Sequence, residues 1–304
     1  MPIETIDRLG SELDSEAARI GREVDGFFSE LLTAPTDGRQ RLYQAMRHAA
    51  IGGGKRLRPL LTVAAARLFA IDADRALRVG CAIEAIHAYS LIHDDLPCMD
   101  DADVRRGKAS VHKAFGEAEA VLAGDSLHAL AFEILGEPAT HEDPWVRAEL
   151  LLELARAVGP AGMAGGQMMD LAAQEGELDI AATTRLQQLK TGALIEYSVD
   201  AACIMARLPP DGRTPYRGYA RNIGLAFQIA DDLIDHSGEA AAAGKPTGRD
   251  AGAGKATFVS LLGEDRARQQ AGLLVEQAIE HLSQHGSEAD LLRSIARFAV
   301  ERDH

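Results

Sequence analysis

A chain of 304 residues with a net charge of −14 lacks the basic face that nucleic acid or an anionic membrane surface requires. It is 46% hydrophobic but only 5% aromatic, which favours helices packed through small residues over a β-sandwich. Its three cysteines (Cys81, Cys98, Cys203) form no Cys-x-x-Cys pair and read as small hydrophobes in a reducing compartment. The opening Met-Pro-Ile-Glu-Thr-Ile-Asp has neither the basic nor the apolar region of a signal peptide. No apolar run approaches the length of a membrane span, so a cytoplasmic protein is expected.

Helical periodicity runs through most of the chain. Apolar residues recur at helical spacing over 8–32 (Leu9, Leu13, Ala17, Ile20, Val24, Phe27, Phe28, Leu31) and stop before Pro35. Further helices are expected over 39–51, 59–70, 74–96, 117–135, 144–158, 184–206, 214–235, 257–262 and 265–303. Gly52-Gly53-Gly54, Gly136-Glu137-Pro138, Gly159-Pro160 and Pro209-Pro210-Asp211-Gly212 separate them. The expected fold is all-α, a single domain over 1–304 of about ten helices. Segment 237–255 carries Lys245, Arg249 and Lys255 but almost no large apolar group. It reads equally as a flap that orders over a bound anion and as a solvated loop.

Two aspartate clusters stand out: Asp94-Asp95-Leu-Pro-Cys-Met-Asp100-Asp101 and Asp231-Asp232-Leu-Ile-Asp235, each at the end of an apolar helical run. Like charges this close repel, and desolvating them is costly unless a cation neutralises them. Magnesium suits, because it takes one or two carboxylates and completes its shell with water and phosphate oxygens. Asp231 and Asp235, four apart, share a helix face. Asp94 and Asp100 are six apart and would diverge on an unbroken helix, but Pro97 allows the chain to turn. One such cluster alone is more often a solvated helix end; two make that improbable.

Cations occupy equally uncommon places. Gly52-Gly53-Gly54-Lys55-Arg56-Leu57-Arg58 leads into a helix, where backbone amides, Lys55 and Arg58 can make an anion site. Arg105-Arg106-Gly107-Lys108 follows the first aspartate cluster, and arginine suits bidentate phosphate contacts. Lys190 lies in a run rich in apolar groups, an awkward place for an ammonium without an anionic partner. Two rivals are weaker candidates. His93 is a poor magnesium ligand beside carboxylates, and Asp125, inside Leu122-Ala-Gly-Asp-Ser-Leu, reads as a hydrogen-bonded buried acid. Gln167 and Asp170 read as supports of the site.

Seven blocks, in order, resemble the trans-type isoprenyl diphosphate synthases, most of all those of the bacterial farnesyl type: residues 52–59, 85–108, 113–133, 162–171, 189–194, 222–235 and 244–257. The resemblance covers about two-thirds of the chain. It implies a helical bundle around a central active-site cavity, in a homodimer. It also implies magnesium-dependent, head-to-tail transfer of a dimethylallyl or geranyl group to isopentenyl diphosphate, giving farnesyl diphosphate. Three magnesium ions would be held by Asp94, Asp100 and Asp231, with Asp95 and Asp235 in the same clusters. Arg105, Lys190, Lys245 and Lys255 would contact the allylic diphosphate; Lys55, Arg58, His87 and Arg106 would hold isopentenyl diphosphate. Without the resemblance, His87 would read as a core-edge histidine. Thr191 and Gln228 oxygens would stabilise developing positive charge. Tyr89 and Ser90, upstream of Asp94, would form the floor that limits product length, with geranylgeranyl or geranyl diphosphate as the alternative products.

Three departures from the family pattern occur: Ala109 in place of a proline, Gln187 or Gln188 in place of a histidine, and a tail at Phe298–His304 without the usual tyrosine and final lysine. A class I terpene cyclase shares the bundle but needs no second diphosphate site. A non-catalytic partner subunit would have lost aspartates, and both clusters are intact here.

Overall fold

The stripe that stops before Pro35 forms α1 (Ile3–Leu31), with Ile20, Val24 and Phe28 buried. This computed structural model describes residues 3–173, 178–237 and 257–301. Next come α2 (Gln40–Ala50), α3 (Leu57–Arg67) and α4 (Ala73–Asp94). Asp72 caps α4: its carboxylate accepts the Arg75 N–H at 3.0 Å, satisfying a donor that the first turn leaves unpaired. Val79, Cys81, Ala82, Ile83, Ala85, Ile86 and Ala88 are all buried, so α4 is a core helix with scarcely a solvent face.

Beyond α4 a two-stranded hairpin appears that helical periodicity could not announce: β1 (Val104–Arg105) paired antiparallel with β2 (Lys108–Ala109). Arg106 and Gly107 turn it, both at positive φ (52° and 75°), which matches the twist of the strands they join. The chain continues through α5 (Val111–Phe115), α6 (Glu117–Gly136), α7 (Pro144–Val158) and α8 (Met163–Ala172). Then follow α9 (Ile180–Gln187), a π-helical turn (Gln188–Gly192), α10 (Ala193–Met205) and α11 (Thr214–Ser237). The last elements are α12 (Phe258–Leu262), α13 (Glu264–Glu280) and α14 (Asp290–Phe298).

The architecture is all-α, and its departures from periodicity have local causes. Helix α8 was not expected, because glycines weaken helices. Its Gly166 has no room for a Cβ against the Lys190 backbone, so glycine is what lets α8 meet the π-turn. The expected helix over 265–303 is broken at 281–289, around Gly286 and a short 3-10 turn.

Contacts divide the chain into two compact units, residues 14–63 with 72–151, and residues 1–13, 64–71 and 152–304. In the first, α4 packs on α6 and α2. Gly124 of α6 leaves no space for a Cβ beneath the His93 ring of α4. In the second, α11 packs on α13 and α10. There Tyr219 is fully buried and its hydroxyl donates to the Leu292 carbonyl at 2.7 Å, which removes the cost of burying it. Among the described residues no helix is long and apolar enough to cross a membrane.

Candidate functional site

The first unit holds the first aspartate cluster. Helix α4 ends at Asp94 and the chain reverses at once. The Asp100 N–H donates to the Asp94 carbonyl at 2.8 Å and the Asp101 N–H to the Leu96 carbonyl at 3.1 Å. The turn through Pro97 thus returns Asp100 to the end of α4, instead of leaving it on the far side of a longer helix. Asp95 differs from its neighbours. It is 2% exposed, and its carboxylate accepts Arg105 Nε at 2.9 Å and a second bond from Nη2. The structure gives Asp95 to Arg105, and brings Asp94 and Asp100 to one reversal of the chain.

A crowd of cations surrounds the same helix. Gly52, Gly53 and Gly54 have φ of 71°, 133° and 76°, and a Cβ on Gly54 would stand 2.6 Å from the Arg106 guanidinium carbon. The three glycines therefore serve both an L-forbidden turn and a close approach. Lys108 Nζ donates to the Ile51 carbonyl at 3.0 Å, while Lys55 is exposed on the loop. Arg56 is buried and fully engaged, with Glu84 and Asp25 each at 2.7 Å and the Ala50 carbonyl at 2.7 Å. Glu84, itself 1% exposed, lies 3.6 Å from Arg106 as well. In the first turn of α3, Arg58 Nε is buried without a hydrogen-bond partner. Burial weakens the hold of Arg58 on its proton, and so does the nearby Arg106, with Glu84 opposing. Arg106 is depressed likewise, by burial and then by Arg56 and Arg105, against Glu84. Several desolvated guanidinium groups share one buried carboxylate, and a polyanion would relieve them.

His87 faces this cluster. Burial, then Arg58 and Arg106, holds its pKa well below the usual histidine range, so the ring is neutral at neutral pH. Below about pH 6.5 the unfolded chain takes up a proton that folded His87 refuses. The ligand-free protein therefore loses stability as pH falls below that value. His87→Gln should flatten this part of the profile, measured as melting temperature against pH from about 5 to 8.

In the second unit Lys190, Thr191 and Gln228 come together around the π-turn, an element often found at functional sites, while Arg105 stands in the first unit with Asp95. Lys190 Nζ donates to Asp170 Oδ2 at 2.6 Å, and the Thr191 hydroxyl donates to Gln228 Oε1 at 3.2 Å. Asp231 follows Gln228 by three residues on α11, and Asp235 follows Asp231 by four, so the three lie along one face. The middle acid, Asp232, accepts the Phe258 N–H at 2.7 Å and anchors the entry to α12. Lys245, Arg249, Lys255 and most of segment 237–255 lie outside the described residues, as do Arg302–His304 of the tail. One expectation is corrected. Asp125 is not a buried acid, since its side chain is 66% exposed and lies only within 4.0 Å of His93.

Among the described residues no group of three or more His, Cys, Asp or Glu side chains is gathered to chelate a metal. Magnesium does not ask for one. Pairs of carboxylates offering oxygen alone, as at Asp94/Asp100 and Asp231/Asp235, fit an ion that keeps water and phosphate in its shell, and fit zinc or calcium poorly. A cavity of about 530 Å³ opens beside the π-turn, but its walls leave out Lys190, Thr191 and Gln228. Three ion pairs line it, Arg217 with Asp200, Arg221 with Glu196 and Arg156 with Glu153.

A family model described as polyprenyl synthetase matches residues 39–296. A curated farnesyl diphosphate synthase of Escherichia coli (strain K12) is 41% identical over 265 residues, 86% of this chain and 89% of the relative. The chloroplastic geranylgeranyl pyrophosphate synthase 11 of Arabidopsis thaliana is 43% identical over 79% of this chain and 69% of its own. Among solved structures, an FPP/GFPP synthase from Zymomonas mobilis is 56% identical and superposes with a TM-score of 0.88, covering 96% of this chain and 99% of that one.

Proposed function

We propose that this chain, which belongs to the polyprenyl synthetase family, is a magnesium-dependent prenyltransferase that joins isopentenyl diphosphate to dimethylallyl or geranyl diphosphate and yields farnesyl diphosphate. The observation that carries this reading is the set of desolvated arginines around Glu84, a site short of an anion, at the helix that ends in Asp94. Both units serve one catalytic domain in this reading.

Asp94, Asp100, Asp231 and Asp235 are the magnesium ligands, and three bound ions would supply neutralisation of the leaving diphosphate. Lys190, oriented by Asp170, and Arg105, oriented by Asp95, contact the allylic diphosphate together with Lys245 and Lys255. Lys55, Arg58, His87 and Arg106 hold isopentenyl diphosphate. The bond from allylic C1 to diphosphate oxygen breaks, the isopentenyl double bond adds to C1, and a proton leaves the adjacent carbon for the departed diphosphate. Thr191 and Gln228 oxygens face the positive charge that develops, and no protein base is required. Water must be kept from that cation. Tyr89 and Ser90 limit chain growth.

The enzyme is read as a cytoplasmic homodimer on the strength of its family. The name of the Zymomonas mobilis structure favours a second reading, in which some product grows past farnesyl. Diphosphate release tests the class of reaction. It should require magnesium, an allylic diphosphate and isopentenyl diphosphate together. Release from the allylic substrate alone would point to a cyclase or a hydrolase instead.

A further inference from the structure

Four rings form a ladder across the packed pair α4 and α6. His93 and Tyr89 of α4 meet edge to face with centroids 5.7 Å apart. Tyr89 meets His128 of α6 at 4.8 Å, and His128 meets Phe132 at 5.3 Å. The helices run antiparallel here: His93 lies over Gly124, and Tyr89, one turn further from the aspartates, lies against His128. Burial lowers the His128 pKa, and a neutral imidazole is the form that packs edge to face as an aromatic ring. Tyr89 is half-buried and meets His93 of its own helix and His128 of α6 at steep ring angles of 77° and 64°, so two rings hold it.

We infer that His128 is a positioning residue for product length, fixing the Tyr89 ring across α4 and α6 so that the ring stops the growing prenyl chain. The inference rests on the prenyltransfer reading and on Tyr89 as its floor. One helical turn spans about 5.4 Å, close to the length that one isoprene unit adds, so releasing a ring at this level should change the product by a whole unit. A residue that merely filled volume would affect stability; a residue that fixes Tyr89 must affect chain length through it.

The test compares the full-length protein with His128→Ala, His128→Phe, Tyr89→Ala and the His128→Ala/Tyr89→Ala double variant. Each is given geranyl diphosphate, magnesium and labelled isopentenyl diphosphate, and the dephosphorylated alcohols are resolved by chain length. The expected result is a severalfold rise in products beyond farnesyl for His128→Ala and a larger rise for Tyr89→Ala. His128→Phe, which keeps an aromatic edge against Tyr89, should restore the original distribution. The double variant should match Tyr89→Ala alone, because a residue acting through another adds nothing once that one is gone. An unchanged distribution in His128→Ala while Tyr89→Ala lengthens its product would overturn the inference and leave the prenyltransferase reading intact. Additive lengthening in the double variant would overturn it too, making His128 an independent wall. Absence of any prenyl product from the unmodified protein would instead sink the reading on which the inference rests.

Discussion

Replacing Asp94 or Asp231 by alanine lowers turnover by about 10²–10³-fold and leaves the melting temperature unchanged or higher. The two halves of this expectation have one cause. Asp94 is the last residue of α4, and Asp231 and Asp235 fall in the last two turns of α11, where the helix dipole disfavours negative charge. Asp95, Asp100 and Asp101 add like charge around Asp94. Arg105 favours the charge on Asp94 and Asp100 and offsets part of this repulsion. The ligand-free fold therefore stands close to balance at these carboxylates and loses little when one is removed, whereas turnover needs the cation they would hold. Thermal melts and steady-state rates on the same preparations check both halves. Near-normal turnover in either variant would show that the metal assignment is wrong.

The second large effect concerns stability. Glu84→Ala should destabilise the protein by about 3–5 kcal/mol, because it strips a buried counter-ion from guanidinium groups that stay buried. Arg56 would keep Asp25 and the Ala50 carbonyl, but Arg58 and Arg106 would lose the buried carboxylate that offsets their desolvation. The change should read as a fall in Tm on the order of 10 °C. Adding diphosphate should recover part of that loss, since an anion that binds only the folded state stabilises it. Removing Arg56 as well, as Glu84→Ala/Arg56→Met, should also recover stability relative to Glu84→Ala.

Much of this was legible in the chain itself. The stripe from Leu13 to Leu31, the alanine-rich run of α4 and the breakers at Gly52–Gly54 fixed helix type and approximate bounds, because burial on one face imposes a period that side chains must follow. The aspartate clusters were legible because carboxylates packed this closely at the end of an apolar run repel one another and call for a cation. Glu84 escaped notice although it carries the signal that exposed Lys190, a charge inside an apolar run. Its partner Arg56 stands 28 residues away, and pairing at that distance is a tertiary event. The π-turn at Gln188–Gly192 could not be seen in a pattern of period 3.6, since the phase shift that its one added residue causes is lost in α10, where nearly every residue is buried. Asp125 was misread for the converse reason. The apolar side chains next to it, Val121 and Leu122, are themselves exposed, so the run does not report burial on that side of α6.

The most direct measurement is product analysis of the purified protein with magnesium, geranyl diphosphate and labelled isopentenyl diphosphate. A labelled prenyl diphosphate of fifteen carbons, formed in step with released diphosphate and abolished by chelation, is the predicted result. Consumption of geranyl diphosphate with no label entering a longer chain would contradict the assignment.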